Sequence, residues 1–305
     1  MLVLHRVLAG PDPLYPEAID AVRFTQMCQW VSCMFNVLPL DAAMQHLGEG
    51  TLPERALSIT FDDGYADNCH VAMPILESLG LPATVFVTTG FLDGGCMWND
   101  IVIESFRRTR SSVAELRDLM PGAETASFEL STPLQRRLAL EAVISAVKYL
   151  ELDIRLRLVQ RIADRLEVAL PTDLMMTSAE VLELRRAGLQ VGAHTVSHPI
   201  LAKLQDGEMR NEVELSKTFL ERLLGERVGL FAYPNGKPGA DFDERAVSLV
   251  RELGFDAAFT TARGAASNGT DPYRVPRFTP WDRTPWRFGM RMLGNLWASD
   301  GRAST

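Results

Sequence analysis

Two adjacent carboxylates follow an apolar stretch in the first quarter of the chain. Residues 56–61 are apolar and β-branched, which predicts a buried strand, and this strand ends directly on Asp62, Asp63 and Gly64. Because successive residues of a strand point to opposite sides, the two carboxylates should point in different directions there. One could then hold a metal ion while the other handles a proton. A plain Asp-Gly turn that closes the strand is the alternative for this motif alone.

Two of the five histidines lie together after another apolar stretch. His194 and His198 follow residues 189–193, which also predict a strand. Pro199 disfavours helix at His198, so we expect a loop that turns both imidazoles toward one point. Together with Asp63 they would form a set of two histidines and one carboxylate, which binds Zn²⁺, Fe²⁺ or Co²⁺ and leaves positions open for water. A pair of structural histidines is the alternative.

A third motif of interest, Phe231-Ala-Tyr-Pro-Asn-Gly236, comes after a further predicted strand. Its proline and glycine would fix a loop whose backbone N–H groups can face inward, as an oxyanion hole requires. A simple Pro-Asn-Gly turn is the more common use of these residues.

Strand and helix patterns alternate along most of the chain with short connections. This alternation predicts parallel strand pairing and a sheet covered by helices. The pattern changes at residues 98–170, where two amphipathic helices are predicted at 136–150 and 153–166 and no strand signal interrupts them. We therefore expect an α/β fold with a helical insertion.

The three motifs, in this order and each after a predicted strand, resemble the first three motifs of the polysaccharide deacetylase family. This is the NodB-homology group, or carbohydrate esterase family 4. The opening His5-Arg6 is similar to the exopolysaccharide de-N-acetylase branch. The resemblance implies a distorted parallel (β/α) barrel over residues 1–280, interrupted by the insertion at about 98–170 and followed by a helical tail at 281–305. Its site would lie at the carboxyl ends of the strands.

The family motifs also imply roles for the matching residues. Asp63, His194 and His198 would bind the metal. Asp62 would be the general base that activates water, and the backbone N–H of Tyr233 would help to stabilise the tetrahedral oxyanion. The expected cofactor is one divalent transition metal, Zn in the first place, with Co, Ni or Fe as alternatives.

One departure from the family concerns the general acid. Many members carry a histidine in a late motif, but no histidine follows His198 in this chain. We expect His5 to serve instead, because it ends the first predicted strand and so shares the catalytic face. His46 and His70 fall within predicted helices, where a structural or partly exposed histidine is the better interpretation.

A second departure concerns the arginine that tethers the base in many members. Ala232 occupies that region of the third motif here. Arg277, which follows another extended segment, is the expected replacement, and Arg6 is its rival.

These residues predict a metal-dependent hydrolase that removes an acyl group, above all acetyl, from an N-acylated amino sugar. The substrate would be a polysaccharide or a lipid-linked glycan. One alternative is a catalytically degenerate glycan-binding protein of the same fold, against which the intact set of motif residues argues. The other is a deacylase for a different acyl group, such as N-formyl.

Composition limits the partners and the compartment. The formal net charge of −8 argues against nucleic-acid binding. The chain has no uncharged apolar run of about 18 residues, as a transmembrane helix needs. Its short apolar N-terminus does not fit a signal peptide, and its four cysteines lack metal-ligand spacing, so a cytoplasmic location is expected. No oligomeric state is predicted.

The C-terminal tail adds a further expectation. One face of a predicted helix carries Trp286, Met290, Leu293 and Trp297, and neighbouring positions carry Arg283, Arg287 and Arg291. Such a helix commonly packs its apolar stripe on the core of the protein. The alternative is that the helix lies in a membrane interface, which would make the protein a peripheral membrane protein.

Overall fold

The computed structural model describes residues 1–120, 126–280 and 282–299. The strands in these ranges are β1 (Leu2–Leu4), β2 (Asn36–Val37), β3 (Ala56–Leu57), β4 (Ile59–Phe61), β5 (Ala83–Val87), β6 (Val113–Glu115), β7 (Ser127–Glu129), β8 (Gln190–Ala193), β9 (Leu230–Ala232) and β10 (Ala257–Phe259). The α-helices are α1 (Ala21–Met34), α2 (Leu40–Glu49), α3 (Met73–Ser78), α4 (Trp98–Arg108), α5 (Pro133–Val147), α6 (Leu152–Arg165), α7 (Ser178–Arg186), α8 (Asp206–Leu224), α9 (Glu244–Glu252) and α10 (Pro285–Ser299). Among the described helices, none combines the length and the apolar character that crossing a bilayer requires.

Six parallel strands form the main sheet in the order β1-β4-β5-β8-β9-β10. These strands are almost uniformly apolar and buried, as expected for a parallel sheet that is covered on both faces. Residues 275–278 connect the two edges of the sheet, since Val275 pairs with Phe259 of β10 and Phe278 pairs with Leu2 of β1. The sheet therefore curls into a distorted (β/α) barrel, which confirms the predicted fold class.

The chain divides into two compact units. The first comprises Met1–Gly10, Ile19–Asp93 and Met175–Thr305 and contains the barrel. The second comprises Pro11–Ala18 and Gly94–Leu174, with α4, α5 and α6 packed around a core of its own. The predicted boundaries of barrel, insertion and tail stay a prediction.

The second unit is not wholly helical, in contrast to the expectation for residues 98–170. Strands β6 and β7 pair antiparallel within it, from Val113 opposite Glu129 to Glu115 opposite Ser127. Each strand has three residues, which is too short for an alternating pattern to be visible in the sequence.

The predicted strand at residues 56–61 is two strands in two sheets. β3 pairs with β2, whereas β4 belongs to the main sheet. Ser58 lies between them: its hydroxyl donates to the Leu38 carbonyl at 3.0 Å and its own carbonyl accepts from the Leu2 N–H at 2.9 Å. A π-helical turn over Asn68–Ala72 precedes α3, in which Pro74 is the second residue.

The C-terminal helix α10 presents its apolar stripe to solvent. Trp286 is 76% exposed, and Met290 and Leu293 are each 47% exposed, whereas Phe288 is 1% exposed. The helix therefore packs on the first unit through a different face. The interpretation in which the stripe packs on the core is wrong for these three residues, and the side chain of Trp297 lies outside the described residues.

Candidate active site

Three side chains from two motifs form a group of potential metal ligands, Asp63, His194 and His198, which we call the metal cluster. One ligand atom from each lies within 4.8 Å of the others. The Nε2 atom of each imidazole is 3.4 Å from Asp63 Oδ1. This Oδ1 atom is buried and has no hydrogen-bond partner among the described residues. An unpartnered buried carboxylate oxygen is costly unless a cation compensates it, and two imidazoles and a carboxylate are a fitting donor set for a divalent transition metal.

The backbone at the end of β4 separates the two carboxylates. Asp63 and Gly64 both have left-handed conformations, with φ of 78° and 89°. A Cβ atom at Gly64 would lie 3.2 Å from the Val87 side chain, so both the conformation and the space favour glycine. The Thr88 N–H donates to the Asp63 carbonyl at 3.1 Å and holds the turn. Asp63 consequently faces the imidazoles while Asp62 faces elsewhere, which confirms that the two carboxylates diverge.

The orientation of His194 is set by the third motif. Its Nδ1 lies 2.7 Å from the carbonyl oxygen of Ala232. Because a carbonyl only accepts, Nδ1 carries the hydrogen, and Nε2 keeps its lone pair toward Asp63. Burial lowers the pKa of His194, but the neighbouring Asp63 and Asp62 carboxylates outweigh it and raise the pKa above its ordinary value. Ala232, which stands where the family resemblance led us to look for an arginine, thus orients His194 through its backbone carbonyl.

His198 reaches the Asp63 carboxylate from a loop and not from a helix, as predicted. Thr195 and His198 adopt left-handed conformations with φ of 68° and 55°. The His198 N–H donates to Thr195 Oγ1 at 3.1 Å, which closes the turn. Burial lowers the pKa of His198 to about 4, so its imidazole is neutral near pH 7. A neutral imidazole is the form that binds metals.

Glu212 on α8 supports this loop, and sequence analysis missed it. One carboxylate oxygen accepts from the N–H groups of Val196 and Ser197 at 2.9 and 2.8 Å, and the other accepts from the Ser197 hydroxyl at 2.6 Å. A glutamate on a helix outside every motif gives no signal in a single sequence. Its role depends on how α8 packs beside the loop.

Asp62 lies in a base pocket, which we define as Asp62, Arg277 and Thr60. The guanidinium of Arg277 donates to both carboxylate oxygens, at 2.7 Å to Oδ1 and 2.8 Å to Oδ2, and donates to Thr60 Oγ1 at 3.0 Å. All three residues are buried. Burial would raise the pKa of Asp62, but Arg277 outweighs it and holds the pKa below its ordinary value. This bidentate pair is the strong form of a carboxylate contact.

The rival arginine has a different partner. Arg6 donates from Nε to Asp67 Oδ2 at 2.7 Å, and its guanidinium lies over the Tyr65 ring, 4.8 Å from the centroid. Of the two arginines considered from the sequence, Arg277 is the one that contacts Asp62.

His5 lies beside the two carboxylates. It directly follows β1, and the N–H of Asp62 donates to the carbonyl of Leu4 at 2.9 Å, which aligns the ends of β1 and β4. Burial alone would raise the pKa of Asp62 and of Asp63, but nearby groups lower both pKa values, and His5 is one of these groups. The His5 side chain is exposed, so a substrate could reach it. Its role as the general acid stays a prediction.

Tyr233 requires a correction. Its backbone N–H donates to the Phe259 carbonyl at 3.1 Å, in the pairing of β9 with β10. Its ring stacks on Phe242 with centroids 3.8 Å apart, and its hydroxyl donates to the Tyr273 carbonyl at 3.0 Å. The structure therefore does not offer this N–H to an oxyanion, and Tyr233 is a core residue that supports the third motif.

Comparisons with known proteins agree with this arrangement. A family model for polysaccharide deacetylases matches residues 49–115 and 159–258, more than half of the chain. The unmatched residues between these ranges fall within the second unit. YxkH of Bacillus subtilis (strain 168), which is named as a polysaccharide deacetylase, is 19% identical over 279 residues, covering 91% of this chain and 69% of YxkH.

Two solved structures share the fold. IcaB from Ammonifex degensii superposes with a TM-score of 0.62 at 18% identity and covers 96% of each chain. The Streptococcus pyogenes deacetylase PplD, in complex with acetate, superposes with a TM-score of 0.61 at 18% identity, covering 97% of this chain and 96% of PplD. At this level of identity, the likeness establishes the barrel architecture.

Proposed function

Because the chain belongs to the polysaccharide deacetylase family, we propose that it is a metal-dependent de-N-acetylase. It would hydrolyse the amide bond of an N-acetylated amino sugar in a polysaccharide or a lipid-linked glycan during polysaccharide biosynthesis. The observation that carries this proposal is the contrast between neighbouring carboxylates: Asp63 Oδ1 is buried without a hydrogen-bond partner among the described residues, and Asp62 is held by Arg277. A protein that only binds glycan has no need for a tethered base beside a cation site.

The metal cluster would hold one divalent transition metal, with Zn²⁺ as the first choice and Co²⁺, Ni²⁺ or Fe²⁺ as alternatives. When bound, such a metal supplies Lewis-acid chemistry, because it polarises the acyl carbonyl and makes water more acidic. His194 and His198 would contribute nitrogen donors at Nε2, and Asp63 would contribute the charge that balances part of the cation.

Asp62 would accept a proton from the attacking water. A carboxylate has about four lone-pair positions, and the Arg277 fork uses two of them, so acceptor capacity remains for a water molecule. The lowered pKa of Asp62, which results from Arg277 acting against burial, keeps the carboxylate ionised at neutral pH. Arg277 also fixes the direction of the carboxylate, so it is a positioning residue for the base.

The leaving amine needs a proton, and His5 is the proposed donor because it is exposed beside both carboxylates.

The oxyanion needs a hydrogen-bond donor other than the Tyr233 N–H. Pro234 has no N–H, and the next one, on Asn235, forms no hydrogen bond with the described residues. Asn235 has a left-handed conformation with φ of 58°, and we infer that its N–H takes the oxyanion role.

The acetyl specificity is supported by the fold relative PplD, whose structure contains acetate, the acid that de-N-acetylation releases.

The proposal is tested by mass spectrometry of N-acetylglucosamine oligosaccharides and lipid-linked N-acetyl sugars after incubation with metal-loaded protein. We expect the loss of acetyl mass with the native chain and no loss with Asp62→Asn. Binding of oligosaccharide without any mass change would indicate a degenerate glycan-binding protein. Turnover of N-formyl sugars alone would indicate a different deacylase.

A further inference from the structure

Helix α10 has one face anchored and another face free. Phe288 anchors it, with ring centroids 6.0 Å from Trp30 and 6.5 Å from Phe35. The exposed stripe is defined as Trp286, Met290 and Leu293. A single exposed apolar residue is ordinary, but three on one helical face form a patch of the kind that marks an interaction site.

An apolar groove extends the exposed stripe on one flank of α10. The groove has a volume of about 830 Å³, and all three stripe residues line it. Its opposite wall includes Leu47 at the end of α2 and the half-exposed Leu52 after it. The apolar surface is therefore wider than the helix itself.

The other flank of α10 is basic. A second groove of about 600 Å³ is lined by three arginines, Arg263, Arg287 and Arg291, by one acidic residue, Asp282, and also by Trp286 and Met290. The two last residues line both grooves, so they form the crest between an apolar flank and a basic flank. This is the arrangement of an amphipathic helix that lies in a membrane interface.

The charges on α10 contrast with the rest of the chain. Residues 283–299 contain three arginines and no acidic residue, in a chain with a net charge of −8. Arg291 pairs with Asp282 at 2.5 Å. Arg283 and Arg287 are exposed and form no ion pair with another described residue. Some exposed arginines of the same unit do form ion pairs, as Arg227 does with Asp256 and Arg245 does with Asp206.

We propose that α10 docks this protein on the surface of a bilayer that contains anionic phospholipids. The exposed stripe enters the boundary between headgroups and acyl chains, with Trp286 at the depth that tryptophan prefers. Arg283 and Arg287 meet the lipid phosphates, which supply the negative partners that the described residues do not provide. None of the residues of the metal cluster or the base pocket lines either groove, and the proposal does not depend on the proposed function.

Vesicle flotation of the full chain tests the proposal. One set of vesicles is phosphatidylcholine alone, and the other is phosphatidylcholine and phosphatidylserine in equal parts. We expect flotation with the anionic vesicles only, weakened by salt. Replacing both Arg283 and Arg287 with Gln should lower the partition coefficient by roughly fivefold per arginine. The double variant Trp286→Ser, Met290→Ser should no longer float.

A matched control is available on α8, where Leu215 and Phe219 are also spaced by one helical turn and are 57% and 39% exposed. The double variant Leu215→Ser, Phe219→Ser should float like the native chain. Because all four positions are exposed, circular dichroism should show both double variants folded. Equal flotation of the native chain and the stripe variant, or no flotation of either, would overturn the proposal. Sedimentation equilibrium adds a further outcome: a dimer that dissociates in the stripe variant, without flotation, would show that a second copy covers α10.

Discussion

Asp62 of the base pocket and Asp63 of the metal cluster are adjacent in the chain and both buried, but their carboxylates have different partners. Asp62 receives two hydrogen bonds from Arg277, one on each oxygen. Asp63 faces two imidazoles at 3.4 Å, and its Oδ1 has no hydrogen-bond partner among the described residues. Both carboxylates are buried, so the hydrogen bonds they receive, and not their burial, distinguish the proposed base from the proposed metal ligand. Substitutions in the base pocket and in the metal cluster test this distinction.

The largest effect is expected on the metal-cluster side, from His194→Ala. This change removes one of three ligands, so the purified variant should contain no stoichiometric metal and should release no measurable acetate. Elemental analysis by mass spectrometry measures the metal, with the native chain loaded in parallel. A variant that retains full metal content would remove His194 from the cluster.

The next largest effect should come from His5→Ala, which removes the proposed acid and leaves both carboxylates in place. We expect kcat to fall by about 10²–10⁴-fold while the metal content stays unchanged. His46→Ala is the matched control, because His46 lies on α2, belongs to no motif, and contacts the Thr51 hydroxyl at 2.9 Å through Nδ1. Near-native turnover by His5→Ala with an N-acetyl substrate would exclude this acid.

A smaller effect is expected from Arg277→Lys, because Asp62 remains in place but no longer receives two parallel hydrogen bonds from a guanidinium. We expect kcat to fall on the order of tenfold near neutral pH. Arg277 holds the pKa of Asp62 below its ordinary value against burial. Their pairing therefore stabilises the fold above that ordinary pKa, and the contribution is lost as the pH falls through the lowered pKa. In Arg277→Met the pKa of Asp62 should rise, which moves the acid limb of kcat/KM to higher pH.

Arg277→Met also leaves a buried carboxylate unpaired, at a cost of about 3–5 kcal/mol in the free energy of unfolding. Arg277→Lys therefore serves as the variant that is more certain to fold. The rival Arg6→Met provides the control, since Arg6 pairs with Asp67. If Arg6→Met moved the acid limb and neither Arg277 variant did, the tether would be assigned to the wrong arginine.

The sequence predicted the site where it depends on strand ends. Parallel strands place their carboxyl ends together, so motifs after β4 and β8 had to meet, and Arg277 lies in the segment that joins the sheet edges. It could not predict the use of the Tyr233 N–H, which depends on the register of β9 and β10. Glu212 was equally hidden, because its contacts depend on how one helix packs. For α10, periodicity identified an apolar face but could not tell whether that face is covered.

The most direct test of the account measures metal content and acetate release side by side in Asp62→Asn and Asp63→Asn. Each substitution keeps the shape of the side chain and removes its charge, so the two variants differ only in which carboxylate is lost. We predict that Asp62→Asn keeps one equivalent of metal and loses turnover, whereas Asp63→Asn loses both. Metal retention by Asp63→Asn, or acetate release by Asp62→Asn at the native rate, would contradict the division of roles between the two carboxylates.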